Sequence, residues 1–401
     1  MTINILFVCR DRMPLWRVDI SVLFGKYMRS LGWKFSWFAI GDRHKPTWML
    51  NDQSTSVKKW KTPLGLYLAE RYRDLLAVIS IVKTAPDIVV VRDDYFSMLL
   101  IGAICKLKKI PCVYWMSFLM EEGYIQLGYQ RKGLGGLLRR IYGRTYRQLG
   151  KIALYLPTHV IVQSEKMQER IFQEKLYLRE STVMHMAADI QATATIQPTP
   201  TNIEFLNIGY SGSISCLRGF EEVFKSVKLL QRKNIKINLH LVGWYETIID
   251  QIRLENLLQE LSISADVIMH GRKSWEESCA TMAGCDVCIS PIPENILYDV
   301  ASPTKIFEYM ALGKPVIATQ HSYQDQLIAE SGAGWSCALE SKQLASTIME
   351  ISMLKDELKE IGQLGYEFIC KKHTYQQRAI ALDSFFRTLI KDKPQPQNPS
   401  N

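Results

Sequence analysis

The chain has 401 residues, more than one compact core usually holds, so two domains are the first expectation. Its 47% hydrophobic and 22% charged residues exclude a disordered or fibrous chain. The longest apolar stretches, such as Met98 to Cys105, fall short of the ~20 residues a membrane span needs. The net charge of +9 is divided unevenly: residues 1–200 carry 29 basic and 16 acidic side chains, the remainder 20 and 24. A half at +13 beside a half at −4 points to an anionic partner for the first. A membrane surface fits better than nucleic acid, because no zinc-finger, RNP or basic-zipper pattern is present.

The chain enters an apolar strand, Asn4–Cys9, with no basic leader or cleavage site, so no export is expected. The nine cysteines are odd in number and lack paired spacing, which reads as reduced intracellular thiols. The loop Arg10–Arg17 has no Gly-x-Gly-x-x-Gly, which argues against a nicotinamide enzyme. Strands are predicted at Phe35–Ile40, Ile88–Val91, Cys112–Trp115 and Val160–Gln163. Between the last two, Leu134, Leu137, Leu138, Ile141, Tyr142, Leu149 and Ile152 keep helical spacing. Arg139, Arg140, Arg144, Arg147 and Lys151 accompany them, and residues 131–151 hold seven cations and no acid. A solvated helix face is one reading; contact with an anionic leaflet, at ~1 kcal/mol per cation, is the other. Glycines 135, 136, 143 and 150 count against one continuous helix.

The polar stretch 188–202 reads as a linker between a first domain at 1–187 and a second at 203–372. In the second, strands are predicted at Asn207–Tyr210, Asn238–Val242, Val267–His270, Val287–Ser290 and Pro315–Thr319, with helical segments between them. Strand and helix alternating through both halves means two doubly wound α/β domains with parallel sheets. A last helix, 373–390, is expected to return to the first domain, followed by a frayed tail at 391–401. Cys285 and Cys288 form a lone C-x-x-C with no second pair or histidine cluster, so buried thiols are expected and no metal.

The most legible stretch is Tyr298-Asp-Val-Ala-Ser-Pro-Thr-Lys-Ile-Phe-Glu-Tyr-Met-Ala-Leu-Gly-Lys-Pro-Val-Ile-Ala-Thr319. Ser302 suits an N-cap, Pro303 the first helical position, and Gly313 the left-handed residue closing the helix. Ile306, Phe307 and Met310 give it an apolar face, with Lys305 and Glu308 on the other side. A capped core helix carrying a surface Lys–Glu pair would explain this. So would an anion received at the helix start, with a carboxylate one turn in to accept hydrogen bonds from a ribose diol.

This stretch resembles the donor-site signature of the family 4 retaining glycosyltransferases, which have the GT-B fold of two Rossmann-like domains facing each other across a cleft. Glu308 falls on the second glutamate of that family's Glu-x7-Glu motif, implied to bind the nucleotide ribose. Val300 stands where the first would be, with Asp299 beside it. Gly212-Ser-Ile-Ser-Cys-Leu-Arg-Gly219 resembles the family's Gly-Arg-x4-Lys-Gly loop, whose cations hold the donor diphosphate. Arg218 stands for the lysine and Ser213 replaces the arginine. His240-Leu-Val-Gly243 and Ala283-Gly-Cys-Asp-Val-Cys-Ile-Ser-Pro291 are further matches. In the first half, Pro86-Asp-Ile-Val-Val-Val-Arg-Asp-Asp94 and Ile110–Gly123 are similar to acceptor-side segments, with Ser117 where relatives often carry histidine or arginine.

The resemblance implies a glycosyltransferase that uses a nucleotide-diphosphate sugar, without cofactor or metal. Gly212, Ser213, Arg218, Gly243, Asp299, Ser302, Pro303, Thr304, Lys305 and Glu308 would bind the donor. Arg218 and Lys305 would stabilise the leaving diphosphate, and Glu121 would act on the acceptor side, unless Glu121 and Glu122 are merely solvated loop carboxylates. A lipid-linked or saccharide acceptor of bacterial surface polysaccharide, met by a cytoplasmic enzyme peripheral on the inner membrane face, fits the charge asymmetry. A nucleotide-sugar epimerase or phosphorylase of the same fold, and a non-catalytic nucleotide- or lipid-binding scaffold, remain as alternatives.

Overall fold

The β-branched runs fold as two separate, wholly parallel sheets in the computed structural model, which describes residues 3–15, 17–41, 46–49, 52–58, 62–131, 133–173 and 180–391. The first sheet comprises β1 (Ile3–Met13), β2 (Trp33–Gly41), β3 (Gln53–Val57), β4 (Ile88–Arg92), β5 (Cys112–Met116), β6 (His159–Val162) and β7 (Ser181–Val183), in the order β3-β2-β1-β4-β5-β6-β7. The second comprises β8 (Leu206–Ile214), β9 (Ile237–Tyr245), β10 (Val267–Gly271), β11 (Val287–Ser290), β12 (Val316–Thr319) and β13 (Gly334–Cys337), in the order β10-β9-β8-β11-β12-β13. Their central strands are almost entirely buried, as in Ile88–Arg92 and Val287–Ser290, because helices cover both faces. The strand order reverses at β1/β4 and at β8/β11, and ligands of such sheets bind beyond the carboxyl ends at those points.

β3, β7 and β13 are absent from the sequence reading. All three lie at sheet edges and have short, polar sequences, Gln-Ser-Thr-Ser-Val, Ser-Thr-Val and Gly-Trp-Ser-Cys. Edge strands pair on one side only and need no continuous apolar run, so they leave little trace in the pattern.

The chain divides into two compact units, Met1–His185 with Tyr375–Asn401, and Met186–Thr374. The stretch expected as a linker packs within the second: Ala188 N donates to His373 O at 3.0 Å and Thr199 N to Ala280 O at 2.8 Å. In the first unit the helix Tyr375–Lys391 is held by Trp33, whose indole Nε1 donates to Asp383 Oδ1 at 2.7 Å and whose ring meets Phe386 edge-on. The expected tail lies, beyond residue 391, outside the described residues.

The helices of the first unit include α1 (Pro63–Thr84), α2 (Tyr95–Lys108), α3 (Met120–Gln130) and α4 (Leu134–Ala153). The last is continuous despite its glycines. A Cβ at Gly136 would lie 2.6 Å from Gly128 O, one at Gly143 2.8 Å from Glu121 O, and one at Gly150 2.6 Å from the Tyr95 ring. Spaced seven apart, they form the close-approach face toward α3 and α2, which turns the leucines outward. Among the described residues no helix is long and apolar enough to cross a membrane.

Candidate functional site

In the second unit the site begins where β8 and β9 end. Gly212 and Gly243 are register partners with φ of +145° and +155°, a region that favours glycine. A Cβ on Gly243 would lie 1.8 Å from Gly212 O, and one on Gly212 would lie 2.5 Å from Lys305 Cε and 2.6 Å from its Nζ. Gly212 therefore leaves the room through which Lys305 reaches the strand end. Beyond Ile214 the chain makes one tight turn, Cys216–Arg218, and Gly219, at φ +73°, opens α5 (Phe220–Arg232). The Arg218 guanidinium lies 5.4 Å from the Tyr298 ring centroid, and Lys305 Nζ lies 5.5 Å from that of Tyr210. Tyr210 is fixed in turn by donating to Ser213 O at 2.7 Å.

Two further helices complete the frame, α6 (Trp275–Gly284) and α7 (Thr304–Ala311). The expected capping of α7 is corrected. Pro303, not Ser302, is its N-cap, and the Ser302 hydroxyl instead accepts from Met186 N at 3.0 Å. Ser302 is buried and satisfies a backbone amide at the start of the unit, so no cap side chain covers the first-turn amides of α7. The helix closes as expected, with Gly313 at φ +67° and Lys314 N donating to Tyr309 O at 3.0 Å. Tyr309 ties α7 to β8 by accepting from Ser211 N at 2.9 Å.

The electrostatics of this corner are unbalanced. Burial, and then the like charge of Arg218, lowers the Lys305 ammonium to about 8, against the weaker pull of Glu308. Burial raises the Glu308 carboxyl, while a 3.2 Å bond from the Trp275 indole and the charge of Lys305 oppose it. Neither Arg218 nor Lys305 makes an ion pair among the described residues, although Glu246 attracts the first and Glu308 the second at longer range, and Arg218 Nε is buried without a hydrogen bond. Half-buried cations without an ion pair attract an anion. Asp299 ends the short helix Ile296–Asp299, 3.7 Å from His321 Nε2, whose ring also meets Tyr298 O at 2.5 Å. Thr304 is half-buried at the first turn of α7.

The structure thus brings Gly212, Gly243, Arg218, Lys305 and Glu308 to one corner. Tyr210, Trp275 and Tyr298, which hold their side chains, carry no signal in the sequence beyond being aromatic. Cys285 and Cys288 are buried, with thiols pushed upward by desolvation.

At the corresponding end of the first sheet the charges are balanced. Arg92, fully buried, reaches Asp19 at 2.7 Å and Asp11 and Asp93 at 3.3 Å each, and donates to Ser117 Oγ at 3.0 Å. Burial alone would raise Asp19, but Arg17 and Arg92 hold it at about 2. Glu121 and Glu122 are buried in the first turn of α3 rather than solvated. Glu121 accepts from Tyr95 Oη at 3.5 Å, and Glu122 pairs with Arg147 and with Arg170 at 3.0 Å. Arg147 is therefore a correction to the expected outward basic face: it is committed to Glu122 because its position on α4 turns toward α3. Arg144 is exposed, Arg139 and Lys151 are half-buried, and Arg140 lies 4.9 Å from the Tyr129 ring centroid.

Residues 195–368 match the family model of the glycosyl transferases group 1. A putative colanic acid biosynthesis glycosyltransferase, WcaL of Escherichia coli K12, is 24% identical over 169 residues, 41% of this chain and 40% of that protein. The aligned stretch thus spans less than half the length of the curated relative. Among solved structures, sucrose-phosphate synthase from Thermosynechococcus elongatus superposes with a TM-score of 0.75 at 15% identity, covering 97% of this chain and 99% of that one. Anabaena HepE in complex with UDP-glucose gives 0.67 at 16% identity, covering 95% and 99%. These likenesses show the fold, that of the GT-B glycosyltransferases, and the family match lies on the unit that holds the anion corner.

Proposed function

We propose that the protein is a retaining glycosyltransferase that moves a sugar from a nucleotide-diphosphate donor to an acceptor, lipid-linked, in bacterial surface polysaccharide synthesis. The observation that carries it is the pair of partnerless cations, Arg218 and Lys305, at the Gly212 strand end with Glu308 one turn further along α7. A diphosphate would supply the missing negative charge, with the uncapped amides of α7 as additional donors. Glu308 would accept hydrogen bonds from the ribose diol, one of its oxygens being oriented by Trp275. Asp299 stands on the sugar side of this reading.

As the bond from the sugar to the diphosphate breaks, negative charge grows on the leaving phosphate. Arg218 and Lys305 are preorganised for it and need no reorganisation at that moment. The charge is met by side chains, so the reaction is proposed to run without a metal ion. Glu121 would serve the acceptor side in the first unit. That unit would rest on the inner membrane face, with Arg139, Arg140, Arg144 and Lys151 near anionic headgroups and the exposed Leu134, Leu137, Leu138 and Ile141 between them. The name of HepE's ligand and that of WcaL's pathway agree with both halves of this reading.

The test is release of free UDP or GDP from a panel of nucleotide sugars, with and without bacterial lipid extract. Release that requires the extract and yields a glycosylated lipid is the expected result. Isomerised donor without acceptor would indicate the epimerase, and donor binding without turnover the scaffold.

A further inference from the structure

Helix α1 is built inside out. Apart from Lys83 in its last turn, its charged residues are buried or half-buried: Arg73 and Asp74 are 0% exposed, and Arg73 donates to Asp74 at 2.7 Å, to Ser97 Oγ at 2.6 Å and to Cys9 O at 2.9 Å. Arg71 is committed to Asp74 and Asp94 at 3.0 and 2.8 Å. Facing outward, Leu64, Leu68, Tyr72, Leu75, Ile79 and Val82 are all exposed, Leu64 to 69%. Their spacing repeats every 3.6 residues, so they form one uncharged stripe of about five turns, ~27 Å long. Soluble monomers rarely leave such a stripe uncovered.

The stripe is not isolated. Tyr67 of α1 meets Phe96 of α2 with ring centroids 5.7 Å apart, and Phe96 meets Tyr146 of α4 at 5.7 Å. The three helices lie side by side on one face of the sheet, where right-handed crossovers place them. The other two helices also expose apolar residues, Leu107 at 79% on α2 and Leu134 at 70% on α4. No acidic residue of the three helices is exposed. The exposed or half-buried cations include Lys83, Lys106, Lys108 and Lys151 in the last turns of their helices and Arg139, Arg140 and Arg144 along α4.

We infer that the joint outer face of α1, α2 and α4 is a lipid-binding plane in which the α1 stripe enters the headgroup–acyl boundary of an anionic bilayer and the cations meet the headgroups. Apolar area with a cationic, acid-free margin is the complement of such a surface, whereas a protein partner would need no such one-signed rim. The inference rests on the membrane reading proposed above and shares α4 with it, but adds the α1 stripe, which that reading does not use, so the two can fail separately.

The experiment is co-sedimentation of the full chain with phosphatidylcholine vesicles, with and without phosphatidylglycerol, at low and high salt. It compares wild type, the variant Leu68→Gln/Tyr72→Gln/Leu75→Gln, and the variant Arg140→Gln/Arg144→Gln. Sedimentation velocity without lipid and melting temperatures accompany it. The expected result is wild-type binding to anionic vesicles that partly resists high salt. The α1 variant should melt as wild type does but lose the salt-resistant fraction, about tenfold in partitioning. The arginine variant should lose mainly the salt-sensitive part. An α1 variant that binds like wild type while the arginine variant does not would overturn the α1 inference and leave the attachment reading standing. No wild-type binding at low salt would overturn both. A wild-type dimer without lipid that the α1 variant converts to monomer would assign the stripe to a second copy and overturn the lipid plane.

Discussion

The two sheets present cations at equivalent places, the carboxyl ends of their central strands, and treat them in opposite ways. In the first unit Arg92 is enclosed by Asp11, Asp19 and Asp93, so the corner is close to neutral before anything binds. In the second unit neither Arg218 nor Lys305 makes an ion pair among the described residues, and burial, then the like charge of Arg218, lowers Lys305. The same architecture therefore builds a structural clamp in one case and an anion site in the other. The difference lies in a few carboxylates, not in topology. On the proposed reading, a diphosphate would enter the second unit rather than the first.

The largest expected effect separates clamp from site by stability. Arg92→Met would leave buried Asp93 and half-buried Asp11 without that cation and buried Asp19 with Arg17 alone, a loss of ~3–5 kcal/mol that should lower the melting temperature by roughly 10 °C. Arg218→Met removes a charge that has no partner, so its melting temperature should stay near that of wild type or rise. Thermal melts of both proteins without ligand check this, and equal destabilisation by the two variants would break the comparison.

Next comes chemistry. Arg218→Ala should lower kcat by ~10²–10³-fold while changing donor affinity much less, because the charge it meets develops mainly in the transition state. Steady-state kinetics with calorimetric donor binding distinguish this from a purely ground-state contact, which would spare kcat. A smaller loss is expected for Glu308→Gln. The amide oxygen can still accept from Trp275, but the charge-assisted bonds to the ribose weaken, costing ~1.5–3 kcal/mol of donor affinity with little change in melting. Unaltered donor affinity would remove Glu308 from the ribose.

Much of this could be read from the sequence, and the exceptions have a common physical cause. Runs such as Ile88–Val91 and Val287–Ser290 are legible because strands buried on both faces must be apolar along their length. The helix around Lys305 and Glu308 is legible because Pro303 has a fixed φ suited to a helix start and Gly313 tolerates the left-handed closing conformation other residues avoid. Ser302 misleads because an N-cap preference is local, while the amide of Met186, distant in sequence, claims its hydroxyl. The glycines of α4 look like helix breakers until α3 is placed against them. The α1 stripe has ideal helical period, yet period alone does not say which side faces in; the buried Arg73–Asp74–Asp94 network decides that, and it is tertiary. Trp275 reaches Glu308 from another helix and is invisible in either motif.

The finest probe of the contrast is a proton. Lys305 sits at about 8 in the empty site, so the free enzyme loses this cation as pH rises through that value, and kcat/KM for the donor should fall there. Folding responds with the opposite sign. The unfolded chain keeps the lysine proton up to ~10.4 while the folded site releases it above about 8, so this residue's contribution to stability rises with pH across that interval. A bound diphosphate favours the ammonium and pulls its pKa back up, so nucleotide binding between pH 8 and 9 should take up a fraction of a proton, at most about one. Calorimetry of UDP or GDP binding in buffers of different ionisation enthalpy reads that uptake directly. Lys305→Arg keeps the charge but cannot release it, so that variant should bind with no uptake and lose the decline in kcat/KM above pH 8. Identical uptake by wild type and Lys305→Arg would place the titrating group elsewhere and leave Lys305 outside the pH dependence of nucleotide binding.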